Sequence, residues 1–145
     1  MNPHTTSDLR RTPETTMTAT AHRLTLDLLP GTFAVCRLAT DAPVPAWTAG
    51  GPLVSVTRTA DELSVVCGED AVPGDVRCEP GWRCLRLAGP IPFTAVGVLA
   101  SLLVPLADAG VAVFAVSTFD TDYVLVKDWE PAVEALRSAG HEVNP

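Results

Sequence analysis

Leu24, Leu26 and Leu28 alternate with Thr25 and Asp27, a period of two that predicts a half-buried strand, and Pro30-Gly31 then turns the chain. Residues 32–39 read as the next strand. Between 41 and 52 the breakers Pro43, Pro45, Gly50, Gly51 and Pro52 leave room for no more than a helical turn around Trp47. A second pair of strands is expected at 53–58 and 63–67, joined by 59–62. The segment 69–80, with Gly74 and Pro80, reads as a loop.

From Trp82 the pattern is more regular. Residues 82–87 alternate as a strand, and Gly89-Pro90-Ile91-Pro92 ends it. Thr94 is an apt N-cap for a helix over 95–109, whose Val96, Leu99, Leu103 and Leu106 fall on one stripe. Pro105 removes one helical hydrogen bond, so a kink or opened turn is expected near Ser101. Gly110 supplies the left-handed residue after the helix. Two β-rich runs, 111–118 and 122–126, follow as a hairpin. A second helix is expected over 130–139, with Pro131 in its first turn, Val133 and Leu136 inward, and Gly140 after it. A short strand over 141–143 closes the chain.

This order, β-α-β-β-α-β, predicts an α+β, ferredoxin-like unit with two helices on one face of an antiparallel sheet. Residues 56–66 can be laid over 116–126, hairpin on hairpin, so two related half-domains are expected. The reading divides the chain into a disordered tail over 1–21, a degenerate half-domain over 22–80 that has lost most of its helices, and a full unit over 81–145. The first half must bury an uncovered sheet face, so it is expected to pack beside or under the second.

With 145 residues, 47% of them hydrophobic, the chain can build a core. The net charge of −7 and a single lysine, Lys127, argue against nucleic acid or an acidic membrane surface as partner. The longest apolar run, 95–107, is too short to cross a bilayer. The Thr-rich start carries Arg10 and Arg11 but no apolar h-region, so it is not read as a secretory signal, and a cytoplasmic location is expected. Cys36, Cys67, Cys78 and Cys84 form no CxxC pair, and His141 is the one histidine in the body of the sequence beyond His22. They are read as reduced structural thiols, with no metal site.

Residues 105–126, Pro-Leu-Ala-Asp-Ala-Gly-Val-Ala-Val-Phe-Ala-Val-Ser-Thr-Phe-Asp-Thr-Asp-Tyr-Val-Leu-Val, closely resemble the signature of ACT domains. The resemblance is nearest to the group containing bacterial stand-alone ACT proteins and the CASTOR-type arginine sensors of animals. It covers 89–143 well and the preceding, ACT-like half more loosely. It implies a regulatory module that binds an amino acid at the edge between paired ACT units. The residues give that implication a physical form. Backbone N–H groups of Ala95, Val96, Gly97 and Val98, at the positive end of a helix, could cradle a carboxylate. Asp122 could hold an ammonium group, as the matching aspartate does in amino-acid-binding relatives, with Thr118 and Phe119 lining the wall. Plainer readings stand beside these: Thr94 as an N-cap only, Gly97 as a close-packing residue, Phe119 as core. Asp120 and Asp122, two apart, could mimic an Asp-x-Asp metal site, but a polar hairpin turn is the favoured reading of Asp120. Asp122 lies in an apolar strand, where a carboxylate needs a partner, and binding is the favoured reading for it.

Enzyme readings find little support. Nucleophilic catalysis through Cys or Ser needs a general base, and the candidate, His141, sits in the last strand; no glycine-rich phosphate loop follows a strand either. Acylphosphatase shares the ferredoxin-like order but uses an arginine and an asparagine, and the loop at 89–94 offers neither. The sequence therefore predicts a non-catalytic binder of a small molecule, an amino acid in the first instance, with no cofactor. The alternative is a structural ACT-like domain for oligomerisation or partner binding. Side-by-side association is expected, between the two half-domains or between chains, and a homodimer or an unknown regulated protein is the expected partner. Arginine-sensing relatives carry an acidic residue where Val96 stands, so a neutral or small apolar amino acid, or an unoccupied site, ranks above arginine.

Overall fold

The computed structural model describes residues 22–145; the expectation for the tail lies outside them. Its strands are β1 (Thr25–Leu28), β2 (Phe33–Leu38), β3 (Ser55–Arg58), β4 (Leu63–Gly68), β5 (Cys78–Leu87), β6 (Val113–Ser117), β7 (Asp122–Val126) and β8 (Glu142–Asn144). The helices are α1 (Val98–Asp108) and α2 (Trp129–Ser138), and short 3-10 turns occupy Ala46–Thr48 and Glu69–Ala71. The α+β, β-α-β-β-α-β arrangement is present as β5-α1-β6-β7-α2-β8. No helix among the described residues is long and apolar enough to cross a membrane.

Strand β1 departs from the simple plan. In a closed ferredoxin-like unit β5 and β8 would lie side by side. Here β1 stands between them, antiparallel to β5 through Leu26↔Leu87 and parallel to β8 through Leu26↔Val143. The expected antiparallel sheet thus contains one parallel pair. Strand order on this side is β8-β1-β5-β7-β6, and β5 also carries β2, β4 and β3.

Strand β5 starts four residues earlier than its pattern suggests, inside the segment read as a loop. Pro80 and Gly81 would normally end a strand, but the β2–β5 register slips by one residue between Phe33↔Trp82 and Val35↔Glu79. Gly81, at φ +83°, accommodates the resulting bulge. The long strand is therefore shared: its first part pairs with β2, its second with β1 and β7.

Three apolar layers follow. Leu102, Leu106, Ala132 and Leu136 of the helices bury against Leu26, Leu85, Val124 and Val126. The opposite face, with Cys84, Leu125 and Phe114, packs on Phe33, Leu53 and Val66 of the first half. The outer face of that half, Ala34, Cys36, Leu63, Val65 and Cys67, is covered by Trp47, Val72 and Val76. The loops around the 3-10 turns thus cover this sheet face, against which no helix packs.

Helix α1 begins at Val98, with Gly97 as its N-cap rather than Thr94, and its buried stripe is Val98, Leu102 and Leu106. Both helices end as expected. Gly110 (φ +72°) and Gly140 (φ +94°) close Schellman motifs, with Val111 N–H on the Leu106 carbonyl at 2.9 Å and His141 N–H on the Leu136 carbonyl at 3.0 Å.

Helix α1 continues through Pro105. The Ser101 carbonyl, which a residue with an N–H at 105 would engage, lies 2.8 Å from His141 Nε2, while His141 Nδ1 accepts the Leu24 N–H at 3.1 Å. One neutral imidazole, protonated on Nε2, satisfies both and ties α1 to the chain entering β1. We expect His141→Ala to cost about 2–3 kcal/mol, because it strands a donor and an acceptor beside the core. Urea denaturation measures this, and a loss below about 0.5 kcal/mol would show that the two groups find other partners.

Candidate functional site

A cleft of about 420 Å³ opens between the start of α1 and the β6–β7 hairpin. Local hydrogen bonds set its shape. The Ile91 N–H donates to the Asp120 carbonyl at 2.6 Å, and the buried Thr121 hydroxyl donates to the Leu87 carbonyl at 2.6 Å, so the loop before α1 is fastened to the hairpin tip. The tip itself is a hydroxyl-braced turn. Thr118 Oγ1 donates to the Thr121 carbonyl at 3.0 Å and accepts the Thr121 N–H at 3.3 Å.

The helix wall consists of Gly97, Val98, Leu99 and Ala100. Gly97 adopts φ +78° and offers no side-chain cap, a left-handed conformation that costs a glycine little. The first-turn N–H groups therefore have no intrahelical acceptor, and the helix dipole adds partial positive charge there. On the hairpin wall, Asp122 is half-buried and accepts a hydrogen bond on Oδ1 from the cross-strand Ser117 hydroxyl. Among the described residues no cation pairs with it. A carboxylate without a counter-ion faces an uncapped helix start across one cleft.

The cleft brings together Ala95, Gly97, Val98, Thr118, Phe119 and Asp122, but not Val96. Val96 is 78% exposed, and its carbonyl lies 2.8 Å from His22 Nε2. The comparison of residue 96 with an acidic residue in arginine sensors therefore says little about this cleft. Two further details change. The Ala95 N–H is committed to the Pro92 carbonyl at 2.9 Å, so the donors move forward to the true first turn, including Leu99 and Ala100. Phe119 is not core: it is 80% exposed and meets Phe93, itself 74% exposed, edge to face at 4.7 Å between ring centroids.

Phe93 and Ser117 line the cleft without having been singled out in the sequence, and Asp120, read there as a polar hairpin turn, lines it as well. Ser117 was accessible to reasoning, since a hairpin closing over 118–121 places it opposite Asp122. Phe93 gave only the weak signal of an aromatic residue in a Pro-rich turn.

Residues 77–138 match the ACT domain family, and residues 31–75 match a family described as an N-terminal domain. None of the curated proteins matches. Among solved structures, protein Atu0741 from Agobacterium tumefaciens is 44% identical, with a TM-score of 0.81 over 85% of this chain and 93% of that one. VC0802 from Vibrio cholerae, a protein of unknown function described as a possible transport protein, is 16% identical, with a TM-score of 0.64 over 81% and 90%. The ligand-free regulatory subunit of aspartate kinase from Thermus thermophilus is 12% identical, with a TM-score of 0.56 over 79% and 96%. The last two likenesses are of fold.

Proposed function

The chain carries an ACT domain and belongs to one family with protein Atu0741 of Agobacterium tumefaciens, and from that premise we propose that it is a non-catalytic regulatory module whose cleft binds a free amino acid. The observation that carries this reading is the opposition of Asp122 to the uncapped start of α1. A zwitterion presents one ammonium and one carboxylate a few bonds apart. The Asp122 carboxylate suits the first and the N–H groups of the first turn of α1 suit the second. Ile91, Phe93, Val98, Leu99 and Phe119 supply apolar wall, so a neutral amino acid with an apolar side chain ranks first and arginine below it.

A thermal-shift screen against each of the standard amino acids tests the proposal. A ligand present at a hundred times its Kd adds about 2.7 kcal/mol to stability, a rise of roughly 5–10 °C in Tm for a chain of this size. The exposed Phe93, Val96 and Phe119 at this end of the molecule favour a second reading, a surface for a second copy of the chain. No shift with any amino acid, together with a concentration-dependent dimer in light scattering, would select that reading.

A further inference from the structure

Three of the four cysteines lie together, outside the cleft. Cys36 on β2, Cys67 on β4 and Cys78 on β5 share the outer face of the first half. Cys36 and Cys78 are directly opposite in the antiparallel β2–β5 pair. The Arg37 N–H donates to the Arg77 carbonyl at 3.0 Å, one step beyond the pair on each strand, so the two cysteines occupy a non-hydrogen-bonded site. Cα atoms at such sites are about 4.5 Å apart, within the roughly 4.4–6.8 Å that a disulfide spans. Cys67 opposes Ala34 and is thus diagonal to Cys36, at a backbone separation of about 7–8 Å, so although its thiol also touches that of Cys36, the directly opposed Cys78 has the better backbone geometry for a bridge. Cys84 belongs to a different core layer.

The two opposed thiols differ in character. Burial, with Cys67 and Cys78 adding to it, pushes the Cys36 thiol up to about 12, so it stays protonated at neutral pH. Cys78 is half-buried and is the member of the pair that a small solute can reach. Among the described residues no three His, Cys, Asp or Glu side chains are arranged to hold a metal ion.

We propose that Cys36 and Cys78 form a reversible disulfide when the protein meets a peroxide. The Cys78 thiolate attacks one peroxide oxygen, the O–O bond breaks, and the departing hydroxide takes a proton to leave as water, giving a sulfenic acid. The Cys36 sulfur then attacks the Cys78 sulfur. The S–O bond breaks, and the hydroxide released takes the Cys36 proton and leaves as a second water. Two thiols and one hydrogen peroxide become one disulfide and two waters, with two electrons passing to the peroxide. An external dithiol reverses the bond by thiol exchange. The bridge joins β2 to the start of β5, beside the bulge where the two halves share that strand, and restrains the unfolded chain across a long loop.

The test uses the full chain treated with hydrogen peroxide, denatured and assayed for free thiols, then digested without reductant for mass spectrometry. The expected result is a fall from four thiols to two, a peptide pair linked through Cys36 and Cys78, and a rise of about 5 °C in Tm that dithiothreitol reverses. Cys84→Ser should leave the link intact. Cys78→Ser, at a half-buried position that a hydroxyl tolerates, should abolish it, as should Cys36→Ala. Four free thiols after treatment, a link through Cys67, or Cys78 oxidised to sulfinic acid beside a free Cys36 would each overturn the proposal.

Discussion

Replacing Leu26 by alanine is expected to lower the unfolding free energy by about 3–4 kcal/mol, the upper range for a fully buried leucine. Leu26 has no exposed surface and stands in the middle of the sheet, paired with Leu87 on one side and Val143 on the other, under the helices. Replacing its isobutyl group by methyl removes the transfer free energy of the lost carbons and leaves a cavity that two fixed neighbouring strands cannot close. Chemical denaturation should show a lower midpoint with an unchanged slope, and Tm should fall by about 10 °C. Leu24→Ala, at a half-buried position, should cost well under half as much. A loss below about 1 kcal/mol for Leu26→Ala would mean that β1 is not integral to the sheet between β5 and β8.

That central position was not legible in the sequence. The alternation of Leu24, Leu26 and Leu28 marks a strand but carries no information about its neighbours, because the same pattern suits an edge or an interior position of a sheet. Local order suggested that β1 pairs with β2, since a Pro-Gly turn joins them. Instead the chain continues along the same edge of β5 from β1 into β2, so the turn acts as an offset within one line of pairing. The long β5 was missed for a related reason. Pro80 and Gly81 are breakers by their own conformational preferences, and only the bulge against Phe33 and Val35 makes them tolerable in a strand. The helices were legible within a few residues because their ends rest on local chemistry, Gly110 and Gly140 above all.

The site was legible to a different degree in its two walls. The hairpin wall follows from the Ser-Thr-Phe-Asp-Thr-Asp run, in which period two and a four-residue turn determine which side chains share a face. The helix wall depends on where the first helical residue falls, and helix starts are the least local part of such a reading. Thr94 offered the better side chain for an N-cap, yet Gly97 took the role. A left-handed residue there reorients the chain arriving from the Pro92 turn, and the Ile91 and Thr121 hydrogen bonds fix that path. The shift of three residues turns Val96 outward and brings Leu99 and Ala100 to the cleft.

For the amino acid that gives the largest thermal shift, Asp122→Ala is expected to raise Kd about 10- to 100-fold, the loss of a charge-assisted hydrogen bond worth roughly 1.5–3 kcal/mol. Asp122→Asn keeps an acceptor for the Ser117 hydroxyl but removes the charge, so it should recover the shape of the wall without recovering the affinity. The two variants together separate charge from packing. Ser117→Ala should have a smaller effect, because Ser117 orients one carboxylate oxygen and leaves the other available to a ligand. Since Asp122 is only half-buried and has no cationic partner among the described residues, neither variant at this position should lower the Tm of the ligand-free protein by more than about 2 °C. Isothermal calorimetry on the three variants decides the matter. An affinity unchanged in Asp122→Ala would remove the ammonium contact, and an affinity restored in Asp122→Asn would show that the pocket reads hydrogen-bond geometry rather than charge.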